Sequence, residues 1–180
     1  MDGDWYYVED NRGPAWSKHN GAYAPILELG PFPDDRTRIT PPAEFPRWDE
    51  TCDNWIIDVE AMRDARLAAI NAECKRRTYL IRADVPADEV TSWTKQETEA
   101  RQLVVDDSAT APFLRTLADA RGIPLDVLAR KVIEKADVAA RNAARVIGTR
   151  QALEDRLSNI DMATPDAATQ ISAITWPNDL

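Results

Sequence analysis

The sequence predicts an α+β protein, in which a small antiparallel β meander at the N-terminus precedes an α-helical region with one long, coiled-coil-like helix. Residues 1–57 hold seven of the 12 prolines and four of the six glycines, whereas residues 58–163 hold twenty alanines and two glycines. Glycine and proline punctuate short strands, and alanine favours helices. We therefore divide the chain into a β-rich module (1–57), a helical module (58–163) and a C-terminal tail (164–180).

The β-rich module consists of short runs separated by turn signals. The runs 5–8, 15–18 and 24–29 are each followed by glycine, proline or asparagine residues that favour turns, so we predict them as strands. Pro41 and Pro42 lack the N–H that a sheet interior needs, which predicts an extended connector. Trp48 and Trp55 flank a polar segment and predict a last hairpin. A sheet of this size buries little surface, and we therefore expect it to pack against a neighbouring element.

The helical module begins at Asp58, whose carboxylate suits the N-cap of a first helix that reaches about residue 81. A second helix is predicted from Pro86 to about Val105, because proline is favoured in a first helical turn. A third starts near Pro112 and stops at Gly122, a residue type that commonly ends helices.

The longest predicted helix starts at Pro124 and runs for about 36 residues, since its apolar residues recur at alternating spacings of three and four. Its middle is rich in alanine, and alanines bury little surface, so the seam needs a partner. We expect it to pack on the preceding helices or to mediate self-association with a second copy. Gly148 in its interior predicts either a break or a close helix crossing.

The tail 164–180 is polar except for Ile171, Ile174 and Trp176. Apolar side chains of this size need cover, and tryptophan is favoured at interfaces. We predict that these three residues contact a partner, so that deleting the tail would leave thermal stability nearly unchanged. Trp48 and Trp55 in the hairpin either fill the core of the small sheet or form a second partner-binding surface, and the second role is the prediction if the tail docks on its own chain.

Little in the composition indicates catalysis. The one histidine, His19, lies in a predicted turn, and the two cysteines, Cys52 and Cys74, are too few for a disulfide framework or a four-thiolate zinc site, so we interpret both as reduced thiols. No glycine-rich phosphate loop is present. We therefore predict no enzyme activity, no catalytic residue, no cofactor and no metal site.

The net charge of −9 disfavours nucleic acid as a partner, because an acidic chain repels a phosphate backbone. No stretch approaches the length of apolar sequence that crosses a bilayer, and the first residues lack the basic and apolar regions of a signal peptide. We therefore predict no membrane association and a cytoplasmic location.

Several segments resemble the modules of tailed-bacteriophage tail-fibre assembly proteins and related tail proteins. In the first module they are Trp5-Tyr6-Tyr7-Val8-Glu9-Asp10-Asn11-Arg12-Gly13, the segment 27–34, Thr40-Pro41-Pro42, and the hairpin 48–55 with Asp58. In the helical module, the runs 93–101, 111–114, 121–123 and 147–153 are similar to a pattern in phage tail-region proteins.

The resemblance implies a non-enzymatic chaperone of the host cytoplasm, which binds a phage tail-fibre protein and helps trimeric fibres to fold or assemble. Unassembled fibre chains expose strands and edges that aggregate, and a chaperone covers them by adding a strand or by laying down an apolar helix face. The alternative is a structural component of the tail fibre or baseplate, located in the virion tail. The two differ in whether the protein remains in the finished particle.

Overall fold

A computed structural model describes residues 6–178 of the chain. Across these residues, two pairs of short antiparallel strands come first and five helices follow. The α+β class and the order of strands and then helices are therefore confirmed.

The first strand pair joins β1 (Trp16–Ser17) to β2 (Arg36–Thr37). On the side of β1 that faces away from β2, Trp16 forms an isolated bridge with Tyr23, and Gly13 forms one with Ile26. Residues 13–17 therefore lie between β2 and the segment 23–26. Of the predicted run 5–8, residue 5 lies outside the described residues and 6–8 form no strand. The run 24–29 contributes only the bridge at Ile26, and Pro25 offers no ladder donor there.

The second strand pair is the predicted hairpin of β3 (Pro46–Asp49) and β4 (Asn54–Ile57). Trp48 and Trp55 are opposite each other in the register, and their rings meet edge to face with centroids 5.2 Å apart. At the tip, the carboxylate of Asp49 accepts a hydrogen bond from the backbone N–H of Thr51 at 2.8 Å. The aromatic pair therefore closes the hairpin as the sequence predicts.

The first three helices begin and end close to the predicted residues. Helix α1 (Val59–Leu80) is capped by Asp58, whose side chain accepts the N–H of Ala61 at 3.0 Å. Helix α2 (Ala87–Val105) follows Pro86, and α3 (Pro112–Arg121) stops at Gly122, which adopts a left-handed conformation with φ of 63°. These local signals therefore act as they do in most helices.

Helix α4 (Leu125–Ser158) is 34 residues long and continuous. The prediction that Gly148 marks a break or a close crossing is wrong, since the helix passes through it and a Cβ atom placed there would meet no atom within 4 Å. The apolar stripe is occupied within the chain: Leu128 and Ala129 belong to a buried cluster with Ala100, Ala111, Leu114 and Ala118. Helices α2, α3 and α4 thus build one core.

The chain forms two compact units whose members are not continuous in sequence. Among the described residues, 6–67 group with 159–174, and 68–158 group with 175–178. The first unit contains the short helix α5 (Ala167–Ser172), in which Ala167 and Ile171 are buried. Part of the tail therefore folds with the N-terminal unit in space, although composition separates the two. The division into modules 1–57, 58–163 and 164–180 stays a prediction.

Candidate partner-binding surfaces

The three tail residues predicted to bind a partner lie against their own chain. Ile171 and Ile174 are 0% and 2% exposed. The indole N–H of Trp176 donates a hydrogen bond to the carbonyl of Ile70 at 3.3 Å. The Trp176 ring lies under the guanidinium of Arg77, 5.0 Å from the ring centroid. Their partner-binding role stays a prediction, and it requires the tail to leave these positions.

Arg77 holds the end of the tail by more than this ring contact. Its guanidinium donates to the carbonyl of Pro177 at 3.2 Å and to the carboxylate of Glu73 at 2.6 Å. Arg76 also donates to Glu73, and these two arginines lower the pKa of the Glu73 carboxyl to about 2, with Arg76 as the larger cause. Glu73 thus holds the Arg77 guanidinium over the ring of Trp176.

The hairpin tryptophans are half-buried and serve the packing of their own unit. The indole N–H of Trp55 donates to the carbonyl of Ile39 at 2.9 Å, and the ammonium of Lys18 lies 4.7 Å from the centroid of the Trp48 ring. The indole nitrogen of Trp48 is buried without a hydrogen-bond partner among the described residues. Partner binding through Trp48 and Trp55 therefore also stays a prediction.

An apolar surface that the sequence analysis did not single out lies along the segments 6–9 and 23–29. Its large side chains are each more than half exposed, and we call them the apolar edge: Tyr6, Tyr7, Tyr23, Leu27 and Leu29. Gly30 donates to the carbonyl of Glu9 at 2.8 Å, which places the two segments side by side. The signal in the sequence was the smallness of the β-rich module, which cannot bury every aromatic and aliphatic residue it contains.

The backbone of the apolar edge is open on one side. Ala22, Ala24 and Ile26 exchange hydrogen bonds with residues 13–17, at 2.8 to 3.0 Å. Tyr23 lies between these positions, and the hydrogen bonds found in residues 6–178 include none from its backbone. An exposed strand edge with free N–H and C=O groups can pair with a further extended chain. Pro25 has no N–H, so along this edge the outward-facing donors are those of Tyr23 and Leu27.

A shallow pocket of the first unit is lined by cations that already have partners within the chain. Lys18 pairs with Asp53 at 3.5 Å, Arg36 donates to the carbonyl of Ala24 at 2.8 Å, and Arg38 donates to the carbonyl of Asn11 at 2.9 Å. An anionic ligand would have to displace these internal partners. Each of these three cations therefore already has a partner within the chain.

Residues with chemical reactivity are scattered. His19 is exposed in a turn, Cys52 is exposed at the hairpin tip, and Cys74 is half-buried on α1. Throughout residues 6–178, no three histidine, cysteine or acidic side chains converge in a way that could hold a metal ion. Over the same part of the chain, no helix is both long enough and apolar enough to cross a membrane.

Comparison with known proteins finds tail-fibre assembly proteins. The chain is 35% identical over 77 residues to a tail fiber assembly protein homolog of Escherichia coli, which covers 42% of this chain and 36% of that protein. It is 38% identical over 64 residues to the prophage tail fiber assembly protein homolog TfaR of Escherichia coli, covering 35% of this chain and 32% of the relative. It is 36% identical over 64 residues to the tail fiber assembly protein of Escherichia phage lambda, with 35% and 32% covered.

These matches confirm the resemblance that the sequence motifs indicate. The chain spans about a third of the length of the curated relatives it matches. No family model matches the chain, and no solved structure matches it.

Proposed function

We propose that this protein is a non-enzymatic tail-fibre assembly chaperone, which binds a phage tail-fibre protein in the host cytoplasm and helps trimeric fibres to fold or assemble. The observation that carries the proposal is the 77-residue similarity to a tail fiber assembly protein homolog. Fibre chains must expose apolar strands before they trimerise, and such strands aggregate unless they are covered.

The apolar edge supports a way of covering those strands. Tyr23 and Leu27 present exposed side chains beside unpaired backbone groups, so an extended fibre segment can add to this edge as a further strand. Backbone hydrogen bonds would supply affinity independent of sequence, and the side chains would add apolar contact. Burial of one such side chain contributes roughly 1.5–3 kcal/mol, which suits a contact that must later be released.

The alternative is a permanent component of the tail fibre or baseplate, and it needs the same fibre-binding surface. Self-association through α4 is a weaker candidate, because the apolar stripe of that helix is buried within the chain at Leu128, Val146, Leu153 and Leu157. A dimer through this stripe would first have to open the core of the second unit.

The proposal is tested by co-expressing the chain with its cognate tail-fibre protein and measuring the yield of soluble fibre trimer. We expect the yield to fall when the chain is omitted or replaced by the variant Tyr23→Ser/Leu27→Ser. The matched control is Val104→Ser/Val105→Ser, which removes two exposed apolar residues of α2. Equal trimer yield with and without the chain would refute the proposed role.

Mass spectrometry of purified particles then separates the two candidates. A chaperone that leaves the fibre is absent from the particle, whereas a tail component is present in a fixed ratio to the fibre protein. Presence at the fibre copy number would establish the structural alternative.

A further inference from the structure

The exposed side of α4 is strongly basic, although the protein as a whole carries a net charge of −9. The helix contains seven basic and five acidic residues. Five exposed cations along it form no ion pair with any described residue, and we call them the basic face: Lys131, Lys135, Arg141, Arg145 and Arg156. At 100° per residue they fall within a sector of about 120°, which also contains the exposed carboxylate of Glu134, and at about 1.5 Å per residue they extend over roughly 37 Å.

The basic face is arranged at a cost to the helix. Lys131 and Lys135 are four residues apart, as are Arg141 and Arg145, and like charges at this spacing destabilise a helix. Glu134, three residues after Lys131, and Asp137, four residues before Arg141, offset part of this cost. Elsewhere the same helix pairs opposite charges at that spacing, as in Arg130 with Asp126 and Arg150 with Glu154. Solubility alone would be served by either arrangement. The repeated like-charge pairs therefore indicate a surface suited to an acidic partner.

We propose that the basic face of α4 binds an acidic surface of the tail-fibre protein, as a contact separate from the apolar edge. The inference rests on the proposed function for the identity of the partner. Charge complementarity strengthens specificity and speeds association, and its range is set by the Debye length of about 8 Å at physiological salt. Carboxylates of a folded protein within that range would neutralise the five cations.

Nucleic acid is the less suitable partner for this face. A DNA duplex carries a dense and extended negative charge, which the acidic remainder of the chain repels over longer distances. A local patch of carboxylates on a protein meets only the basic face. The net charge of the chain thus favours a protein surface.

The test measures the affinity of the purified chain for its cognate tail-fibre protein, in the parent and in Arg141→Glu/Arg145→Glu. We expect the charge reversal to weaken binding about tenfold or more, and Arg141→Gln/Arg145→Gln to weaken it less. Binding of the parent should also weaken between about 0.1 M and about 1 M salt, over which the Debye length falls from about 10 Å to about 3 Å.

The matched control is Lys75→Glu/Arg82→Glu, which makes the same change in net charge at two exposed cations outside α4. We expect it to bind the fibre like the parent. Melting curves check that each variant is folded, and since the reversal exchanges one like-charge pair for another at the same spacing, α4 should persist.

Three outcomes would overturn the inference, each in a distinguishable way. If the parent binds the fibre and the reversal of Arg141 and Arg145 has no effect, the basic face is not the contact and the proposed function stands. If the parent does not bind the fibre at all, both proposals fail. If the parent binds a short DNA duplex and the reversal abolishes that binding while leaving fibre binding intact, the partner of this face is nucleic acid.

Discussion

The carboxylate of Glu99 on α2 accepts a hydrogen bond from the backbone N–H of Leu114 on α3, at 2.8 Å. Its second oxygen lies 3.4 Å from the N–H of Phe113. The side chain of Ala111, the N-cap residue of α3, cannot satisfy these donors, and the first N–H groups of a helix have no partner within it. Glu99 is 6% exposed, so one helix caps the next with a buried charged group.

The substitution Glu99→Ala should lower the free energy of unfolding by about 1–3 kcal/mol, because it leaves two N–H groups without a partner in a buried setting. The measurement is urea unfolding at neutral pH. Glu97→Ala is the matched control, since it removes a partly exposed carboxylate two residues away, whose one ion pair within residues 6–178 is with Arg101. Equal unfolding midpoints for the two variants would show that the cap contributes nothing.

Gly148→Ala should raise the free energy of unfolding by about 0.5–1 kcal/mol, because the position is helical and has room for a methyl group. Gly122→Ala should instead lower it by about 1–2 kcal/mol, since its φ of 63° is strained for any residue with a Cβ atom. Neither methyl group would touch another atom. Thermal unfolding of the two variants thus isolates the backbone term, and shifts in the same direction would contradict this account.

Ile171→Ala should lower the free energy of unfolding by about 2–5 kcal/mol, because the side chain is fully buried and the change leaves a cavity. Thr169→Ala, at an exposed position of α5, is the control. The structure thus leads us to expect a marked loss of stability on deletion of 164–180, where the sequence alone led us to expect almost none. A variant at Ile171 that melts like the parent would favour the partner-binding role of the tail.

Stability should depend on the ionisation of Glu73. Its pKa falls from an ordinary 4.5 to about 2 in the folded protein, through hydrogen bonds from Arg76 and Arg77. The contribution is therefore fully present above about pH 4.5 and is lost as the pH falls towards 2. It should not exceed about 1 kcal/mol, because a partly exposed ion pair is screened by solvent.

This dependence is measured by comparing unfolding of the parent and Glu73→Gln over that acid range. The variant should lose less stability on acidification than the parent does. Glu60→Gln, which removes an exposed carboxylate of the same helix, should behave like the parent. Parallel pH profiles for Glu73→Gln and the parent would argue against the assigned hydrogen bonds.

Local signals in the sequence were enough to place the ends of the main helices and the last hairpin. Asp58, Pro112 and Gly122 act on backbone groups only a few residues away, so their effects can be deduced without knowing the rest of the fold. The same holds for Trp48 and Trp55, which a short polar tip brings opposite each other. The repeat of apolar residues at spacings of three and four, sustained along α4, was likewise sufficient to predict the length of that helix.

Which residues each surface contacts could be learned only from the folded chain. Trp176 donates to Ile70, 106 positions earlier, and no local pattern announces a contact across that distance. Contacts between distant segments also explain why Tyr23 and Leu27 are exposed and why Ile171 is buried. They likewise explain how Glu99 comes to cap α3. Burial and capping between elements depend on which segments come together in space, whereas periodicity, turns and helix ends depend on neighbours along the chain.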